Sequence, residues 1–287
     1  MQFMYLYYFT NDNKFPFFIQ YGQHKNGMGV HYHFDFSELV IVLNGTATHI
    51  VNNEQYVINK GDVFVINGGT WHSYENTCDF EICNIMYQPE NLFNKSSDIE
   101  RSYGYHALFV IEPFLRKECS FNSHLKLAFV DLEKVKRLII SMYDEYQSKI
   151  RGYQTLIWAY FMELVVFLSR RYTLNNMGEK ENLVSIAKSI SYIENHFKEQ
   201  ITLTELAEKA NISIRHFNRI FNKTYKTTPM NYIMKLRMQH ASLLLKESKL
   251  SISDIAFESG FNDSNYFTRK FRKHFGVTPK EYRSKSY

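Results

Sequence analysis

The chain has 287 residues, of which 45% are hydrophobic, so it is long enough for two ordinary domains that each bury a core. Its net charge of +5 is distributed unevenly, because residues 180–287 contain 19 Lys and Arg and only 10 Asp and Glu. The excess of positive charge favours a polyanionic partner for this part of the chain. The sequence contains no apolar run long enough to span a membrane, and its N-terminus lacks the basic segment of a signal peptide. The three cysteines show no CxxC spacing, which argues against a disulfide scaffold. These features predict a cytoplasmic protein with three reduced cysteines.

Residues 15 to about 90 alternate polar and apolar side chains in short runs, with turn residues such as Asn-Gly and Gly-Gly between them. Alternation with a period of two places one side of each strand in a core. The pattern therefore predicts an antiparallel β-barrel or sandwich for the first part of the chain.

Two motifs inside these predicted strands combine imidazole and carboxylate groups. They are His31-x-His33-x4-Glu38-x6-Gly45 and Gly61-x5-Asn67-x-Gly69-x2-His72-x3-Asn76. Both resemble the paired motifs of the cupin barrels, except that Asn67 stands where those proteins have a proline. The positions that match the ligands of metal-binding cupins are His31, His33, Glu38 and His72, called the histidine cluster here. The resemblance implies that this cluster can hold one divalent ion, and imidazole with carboxylate suits Mn, Fe, Ni or Zn.

The alternative for the histidine cluster is a hydrogen-bonded polar group without metal, as in sensor domains that resemble cupins. We expect this second arrangement and no cofactor. The cluster and the neighbouring rings of Tyr32 and Trp71 are then the predicted ligand-binding residues. Aromatic rings stack on sugar faces while a few polar groups bind the hydroxyls, so a carbohydrate is the expected ligand class.

Two helices are predicted after the strands. Residues 131–150 place Leu132, Val135, Leu138, Ile139, Met142, Tyr143 and Tyr146 on one stripe, which is typical of an amphipathic helix. Residues 154–171 are apolar nearly all round, so this helix must be covered on several sides, either within one subunit or by a second copy. We expect a homodimer. The polar residues 173–182 are the predicted linker.

The C-terminal segment contains two copies of one unit. At an offset of 50 residues the matches are Phe217/Phe267, Arg219/Arg269, Phe221/Phe271, Lys223/Lys273, Thr228/Thr278, Pro229/Pro279 and Tyr232/Tyr282. Upstream the offset is 49, with Leu203/Ile252, Leu206/Ile255 and Ala207/Ala256. One residue is therefore inserted in the turn of the second copy.

Each copy predicts two helices joined by a turn. The predicted N-caps are Thr202 or Thr204 and Ser213 in the first copy, and Ser253 and Asp263 in the second. Asn211 and Gly260 are the predicted turn residues. Residues 229–246 predict a connecting helix of about 25 Å, which can hold the two units near one DNA helical turn apart.

The second helix of each copy leaves a polar, basic face outward. The first face comprises Arg215, His216, Asn218, Arg219, Asn222 and Lys223, and the second comprises Ser264, Asn265, Thr268, Arg269, Arg272 and Lys273. Arg and Asn can read base edges, and Lys and Ser can hold phosphates. A solvated helix face is the alternative for one such helix, but two copies with the same spacing favour DNA.

The segment SISDIAFESGFNDSNYFTRKFRKHFGVTPKEYR resembles the signature of the AraC/XylS family of bacterial transcription regulators, over about 105 residues in all. The resemblance implies a double helix-turn-helix. Its implied base-reading residues are Arg215, Asn218 and Arg219 in the first unit, and Ser264, Asn265, Thr268 and Arg269 in the second. Tyr266 is either a DNA contact or a packing residue. Residues 104–118 resemble carbohydrate-responsive members, particularly the rhamnose type.

The sequence thus predicts an α+β protein with a cupin-like ligand-binding and dimerisation domain (1–172), a linker (173–182) and a double helix-turn-helix domain (183–287). The predicted function is sequence-specific transcription regulation under the control of a small molecule, with activation expected and repression left open. The predicted partners are double-stranded DNA and, for an activator, RNA polymerase. The alternatives are a metal-dependent cupin enzyme, such as a sugar isomerase or dioxygenase, fused to a DNA-binding domain, and a regulator that takes no ligand.

Overall fold

The computed structural model describes residues 2–10, 12, 14–24, 27–51, 54–89, 98–115, 125–175 and 182–284. The chain forms two compact units, Met1–Glu179 and Lys180–Tyr287. The first is rich in β-strand, and the described part of the second is helical, as the predicted fold class requires. No helix in these described ranges is long and apolar enough to cross a membrane.

A single sheet dominates the N-terminal unit. Its described strands are β1 (Gln2–Met4), β2 (Phe17–Gln23), β3 (Met28–His33), β4 (Ser37–Val51), β5 (Glu54–Asn59), β6 (Asp62–Ile66), β7 (Trp71–Tyr87) and β8 (Leu125–Lys126). The long strands β4 and β7 pair antiparallel from Ser37 opposite Tyr87 to Val51 opposite His72. β2 and β3 also pair with β7, and β5 and β6 also pair with β4. β1 pairs parallel with β3, which the alternation pattern did not predict.

The long strands β4 and β7 change register between Val42 and Thr48. Gly45 lies in this stretch with a φ of +71°, and a Cβ there would be 2.2 Å from the carbonyl oxygens of Cys78 and Asp79. Both halves of each long strand contribute to one core. Its buried residues are Val40, Val42, Ala47, Ile58, Phe64, Ile66, Tyr74, Phe80 and Ile82. The sheet therefore folds over a packed apolar interior, in line with the predicted barrel.

Helices follow and flank the sheet. The short elements are 3-10 turns at Leu6–Tyr8 and Asp98–Arg101, α1 (Tyr103–Tyr105), a π-helical turn (His106–Ile111) and α2 (Glu112–Leu115), and the long ones are α3 (Phe129–Ser148) and α4 (Tyr153–Asn175). Helix α3 buries the predicted stripe at Leu132, Val135, Leu138, Ile139 and Met142, which confirms the amphipathic helix. Lys134 pairs with Glu163, and Arg171 with Asp131, so α3 and α4 lie antiparallel.

The C-terminal unit contains α5 (Asn182–His196), α6 (Leu203–Lys209), α7 (Ile214–Tyr225), α8 (Pro229–Glu247), α9 (Ile252–Glu258), α10 (Ser264–Phe275) and α11 (Pro279–Ser284). The two predicted copies are the pairs α6–α7 and α9–α10, and α8 connects them. Of the predicted linker, residues 176–181 lie outside the described residues, while α4 continues to Asn175 and α5 begins at Asn182.

Side-chain caps fix where the repeated helices begin. Thr202 accepts a hydrogen bond from the Glu205 amide at 3.1 Å, and Ser213 accepts one from the His216 amide at 3.2 Å, as predicted. Asp263 caps α10, also as predicted.

The predicted cap at Ser253 is wrong. Helix α9 begins at Ile252, because Ser251 and Asp254 form a reciprocal capping box that starts the helix two residues earlier.

Candidate nucleic-acid interface and buried histidine cluster

The turns of the two copies differ in length and in what they require of the backbone. Four residues (210–213) separate α6 from α7, and five (259–263) separate α9 from α10, which confirms the one-residue insertion. Asn211 has a φ of +53° and Gly260 a φ of +86°. A Cβ on Gly260 would lie 2.6 Å from the carbonyl oxygen of Lys198, so the second turn needs glycine for space as well as for conformation.

Each second helix has one buried apolar side and one exposed polar side. Helix α7 buries Phe217, Ile220 and Phe221, and α10 buries Phe267 and Phe271. All twelve predicted DNA-binding side chains are exposed or half-buried, on the opposite sides of the same two helices. Because packing fixes the apolar side, it also fixes which residues each helix presents to a ligand.

Several of these polar side chains already have intramolecular partners. The Arg219 guanidinium donates a hydrogen bond to His216 Nε2 at 3.1 Å, which holds the arginine beside the histidine. The Thr268 hydroxyl donates to the Ser264 carbonyl oxygen at 2.9 Å. Tyr266 is 39% exposed, and the Lys270 ammonium lies over its ring, 5.3 Å from the centroid. His216 therefore positions a predicted base-reading residue.

Helix α8 is held by contacts that the sequence pattern did not reveal. Arg237 donates to the carbonyl oxygens of Phe197 and Glu199, each at 2.7 Å, across the turn after α5. The Tyr232 hydroxyl donates to the carboxylate of Glu194 on α5. These long-range contacts make α8 a fixed spacer of about 28 Å between the two copies.

The histidine cluster lies inside the N-terminal unit. His31 and His72 face each other across β3 and β7, with ring centroids 4.0 Å apart, and His33 is next to both. All four side chains of the cluster, including Glu38, are 0–2% exposed. The structure therefore brings together the four residues that the two sequence motifs identified.

The spacing of the cluster suits one small ion. His33 Nε2 and His72 Nε2 are 3.2 Å apart, and Glu38 Oε2 is 3.7 Å from each. Two nitrogens that each lie about 2.0 Å from a tetrahedral ion are about 3.3 Å apart. Glu38 Oε2 is also buried and has no hydrogen-bond partner, which leaves a carboxyl oxygen facing two imidazoles. These residues fit a divalent ion.

Burial sets the protonation of the cluster. It lowers the pKa of His33 to about 3, with a further contribution from His31, and lowers the pKa of His72 well below its usual value. It raises the pKa of Glu38 to about 8. The imidazoles are therefore neutral at pH 7, the form that ligates a metal, and a cation here would favour the ionised carboxylate.

His49 joins the cluster although neither motif contains it. Its Nε2 lies 3.3 Å from His72 Nδ1, and its ring stacks between Phe64 and Tyr74 at centroid distances of 4.8 and 4.9 Å. Strand alternation places His49 on the buried side of β4 with Ala47 and Val51. This alternation is the sequence feature from which the burial of His49 could have been predicted. His49 is placed to fix the tautomer and orientation of His72.

Tyr32 and Trp71 do not reach the histidines. They lie opposite each other in the β3–β7 register, one residue from His31 and His72 respectively, so alternation turns both rings to the other face of the sheet. There they contact each other at 4.6 Å and pack with Phe3, which is 50% exposed. The expectation that these rings line one pocket with the cluster is corrected accordingly.

Comparison with known proteins identifies relatives of both units. Residues 206–285 match the family described as "Helix-turn-helix domain", and residues 17–85 match "Cupin domain". The "HTH-type transcriptional activator RhaS" of Escherichia fergusonii is 31% identical over 258 residues, which are 88% of this chain and 86% of the relative. The protein of the same name from Citrobacter koseri is 29% identical over 255 residues, with the same coverage. The C-terminal domain of the response regulator yesN from Fusobacterium nucleatum is 36% identical, covering 33% of this chain and 93% of that one, with a TM-score of 0.32.

Proposed function

This chain belongs to the AraC/XylS family of DNA-binding transcription regulators, and on that premise we propose that it activates transcription by placing α7 and α10 in successive major-groove segments. Its relatives carry the name of transcriptional activators, so the chain is a regulator and the hypothesis of a cupin enzyme is set aside. We further propose that a carbohydrate bound by the N-terminal unit controls this activity.

The repeated arrangement of α7 and α10 carries the proposal. Both helices are capped at their N-terminal ends, buried on one side by phenylalanines, and polar and basic on the other. Arg219 and Arg269 are equivalent in the two copies, whereas Asn218 and Asn265 differ by three residues, or about one helical turn, in their positions on the two helices. Arginine binds guanine O6 and N7 in bidentate fashion, and asparagine binds adenine N6 and N7.

The proposed partners follow from this mode of action. Two copies of the chain pair through the N-terminal units, where α4 leaves Leu156 and Leu174 43% and 55% exposed. An activator acts with RNA polymerase at the promoter, and the place of action is the cytoplasm. A ligand changes activity only if it has different affinities for two arrangements of the protein.

For the histidine cluster we propose a single divalent ion as ligand, in place of the metal-free hydrogen-bonded arrangement expected from the sequence. The ring centroids of the cluster are 4.0–5.1 Å apart, which leaves no room for a sugar, whereas the Nε2 atoms of His33 and His72, 3.2 Å apart, could both bind one ion. Such an ion would be held by residues of β3, β4 and β7 and would link these three strands. Elemental analysis of wild type and of His72→Ala checks this: we expect a stoichiometric metal that the substitution removes, and a metal-free wild type purified with added metal would contradict it.

Selection of bound sequences from random DNA tests the function directly. The full chain is incubated with the library alone and with each of several neutral sugars. We expect two conserved base clusters about one helical turn apart for each protomer, with enrichment that changes in the presence of one sugar. Equal recovery of all sequences would refute sequence-specific binding, and identical enrichment with every sugar would refute control by a carbohydrate.

A further inference from the structure

The turn of the second copy is one residue longer than the turn of the first, and this longer turn contacts the segment that leads into the first copy. Gly260 lies in it with a φ of +86°, and a Cβ there would be 2.6 Å from the carbonyl oxygen of Lys198, between α5 and α6. Beside this approach, the side-chain amide of Gln200 donates to Asn262 Oδ1 at 3.3 Å. The two copies are therefore in direct contact at these turns, in addition to their connection through α8.

Arg237 on α8 completes this contact. It donates to the carbonyl oxygens of Phe197 and Glu199, between α5 and α6, and its guanidinium lies 5.7 Å from the ring centroid of Phe261, which follows Gly260. A planar guanidinium with two hydrogen bonds is fixed in orientation, so one side chain holds both turns. The residues Lys198, Gln200, Arg237, Gly260, Phe261 and Asn262 are called the inter-turn contact here.

The inter-turn contact restricts how the two copies can move. Arg237 lies near the middle of α8, so the contact lies beside the connecting helix and not at either end. If α8 were the only connection, one copy could rotate about the axis of this helix relative to the other. Such a rotation now has to break the two hydrogen bonds of Arg237 and separate Gly260 from Lys198.

We propose that the inter-turn contact sets the separation of α7 and α10, with Arg237 as its positioning residue, so that the chain measures the spacing between two base clusters. This inference rests on the proposed reading of two major-groove segments by these helices. One base pair more or less shifts one cluster by about 3.4 Å along the duplex and turns it by about 35° relative to the other. A rigid pair of helices cannot follow this change and loses base contacts, whereas a hinged pair adapts to it.

The one-residue insertion in the repeat acquires a role in this account. The second copy needs the same two helices as the first, but its turn must also extend to Lys198. The fifth residue supplies the length, and glycine supplies the close approach at a positive φ. The longer turn therefore serves the contact between the copies.

Titration of duplexes with altered spacing tests the proposal. The selected operator, and versions with one base pair added or removed between its base clusters, are titrated with full-length wild type, Arg237→Met and Lys235→Met. Lys235→Met is the matched control, because it removes a positive charge from the exposed side of the same helix. Wild type and Lys235→Met should bind the altered duplexes at least about tenfold more weakly than the operator. Arg237→Met should bind all three within about threefold and still discriminate bases within each cluster.

Three results would overturn the proposal. If Arg237→Met retains the wild-type preference for one spacing, the inter-turn contact does not set the separation, and the reading of two segments stands. If Arg237→Met loses affinity equally on every duplex and its salt slope falls by about one, Arg237 binds a phosphate. If wild type binds all three duplexes equally, the two helices do not read together, and the proposed function fails as well.

Urea unfolding shows whether Arg237→Met folds. If it does not, Gln200→Ala combined with Asn262→Ala takes its place, because both side chains are exposed and their loss removes one hydrogen bond of the contact. The penalty for altered spacing should then be at least about threefold smaller than in wild type. An unchanged penalty would contradict the proposal.

Discussion

The two units of this protein place their functional residues by different means. In the C-terminal unit the candidate DNA contacts lie within two twelve-residue helices, each held by its own cap and apolar side. In the N-terminal unit the histidine cluster draws on three strands, and His33 and His72 are 39 residues apart in sequence. Local packing suffices for the first arrangement, whereas the second depends on long-range strand register.

The largest effect is expected from opening the core of one C-terminal copy. Phe267→Ala removes a side chain that is 0% exposed and should cost about 3–5 kcal/mol of unfolding free energy, because it leaves a cavity. Phe257→Ala is the control, since Phe257 on α9 is 56% exposed. Urea unfolding measures both. A comparable loss of unfolding free energy in Phe257→Ala would contradict the conclusion that the apolar side of α10 stabilises the C-terminal unit.

Acid should destabilise the N-terminal unit more than the C-terminal one. The described histidines of the C-terminal unit are exposed or half-buried, whereas burial lowers the pKa of His106 to about 4. As the pH falls, the unfolded chain therefore binds a proton at His106 before the folded chain does. The contribution of the neutral His106 to the free energy of unfolding is complete above pH 6.5 and is lost as the pH falls towards 4.

Between pH 6.5 and pH 4 the protonation of His106 should lower the free energy of unfolding by about 1.4 kcal/mol for each pH unit. Unfolding of wild type and of His106→Gln at pH 7 and pH 5 measures it. The variant should lose less stability over this interval, and equal losses would contradict the assignment of a buried neutral imidazole.

Support from His49 should tune the affinity of the cluster for metal. His49→Phe keeps the stacked ring but removes the nitrogen 3.3 Å from His72 Nδ1. We expect Co²⁺ binding, followed by its visible absorption, to weaken about 10- to 100-fold, with the protein still folded. The control is His196→Phe, because His196 is a half-buried histidine in the C-terminal unit. Unchanged affinity in His49→Phe would assign His49 to packing alone.

The sequence predicted the C-terminal unit in most details because its signals are local. Caps, turn residues and helix periodicity identified five of its helices, and only the Ser253 cap was misplaced, since Ser and Asp recur at neighbouring positions. The anchoring of α8 by Arg237 was not predictable, because its acceptors are backbone carbonyl groups about 40 residues away.

In the N-terminal unit the motifs identified the four members of the histidine cluster but not their surroundings. His49 was missed because its partner lies on another strand. Tyr32 and Trp71 were assigned to the pocket because nearness in sequence was taken for nearness in space, although neighbouring strand residues face opposite sides.

The most direct test of the central claim, that one chain reads two DNA segments with two equivalent helices, compares Arg219→Ala with Arg269→Ala on the selected operator. Each variant is titrated against the operator and all of its single-base changes, with Lys235→Ala on α8 as an exposed control. Each arginine variant should lose about 1–3 kcal/mol of discrimination at one base position, and the two positions should lie about ten base pairs apart. An equal loss of affinity on all sequences would show that both arginines bind only phosphate, and would contradict the claim.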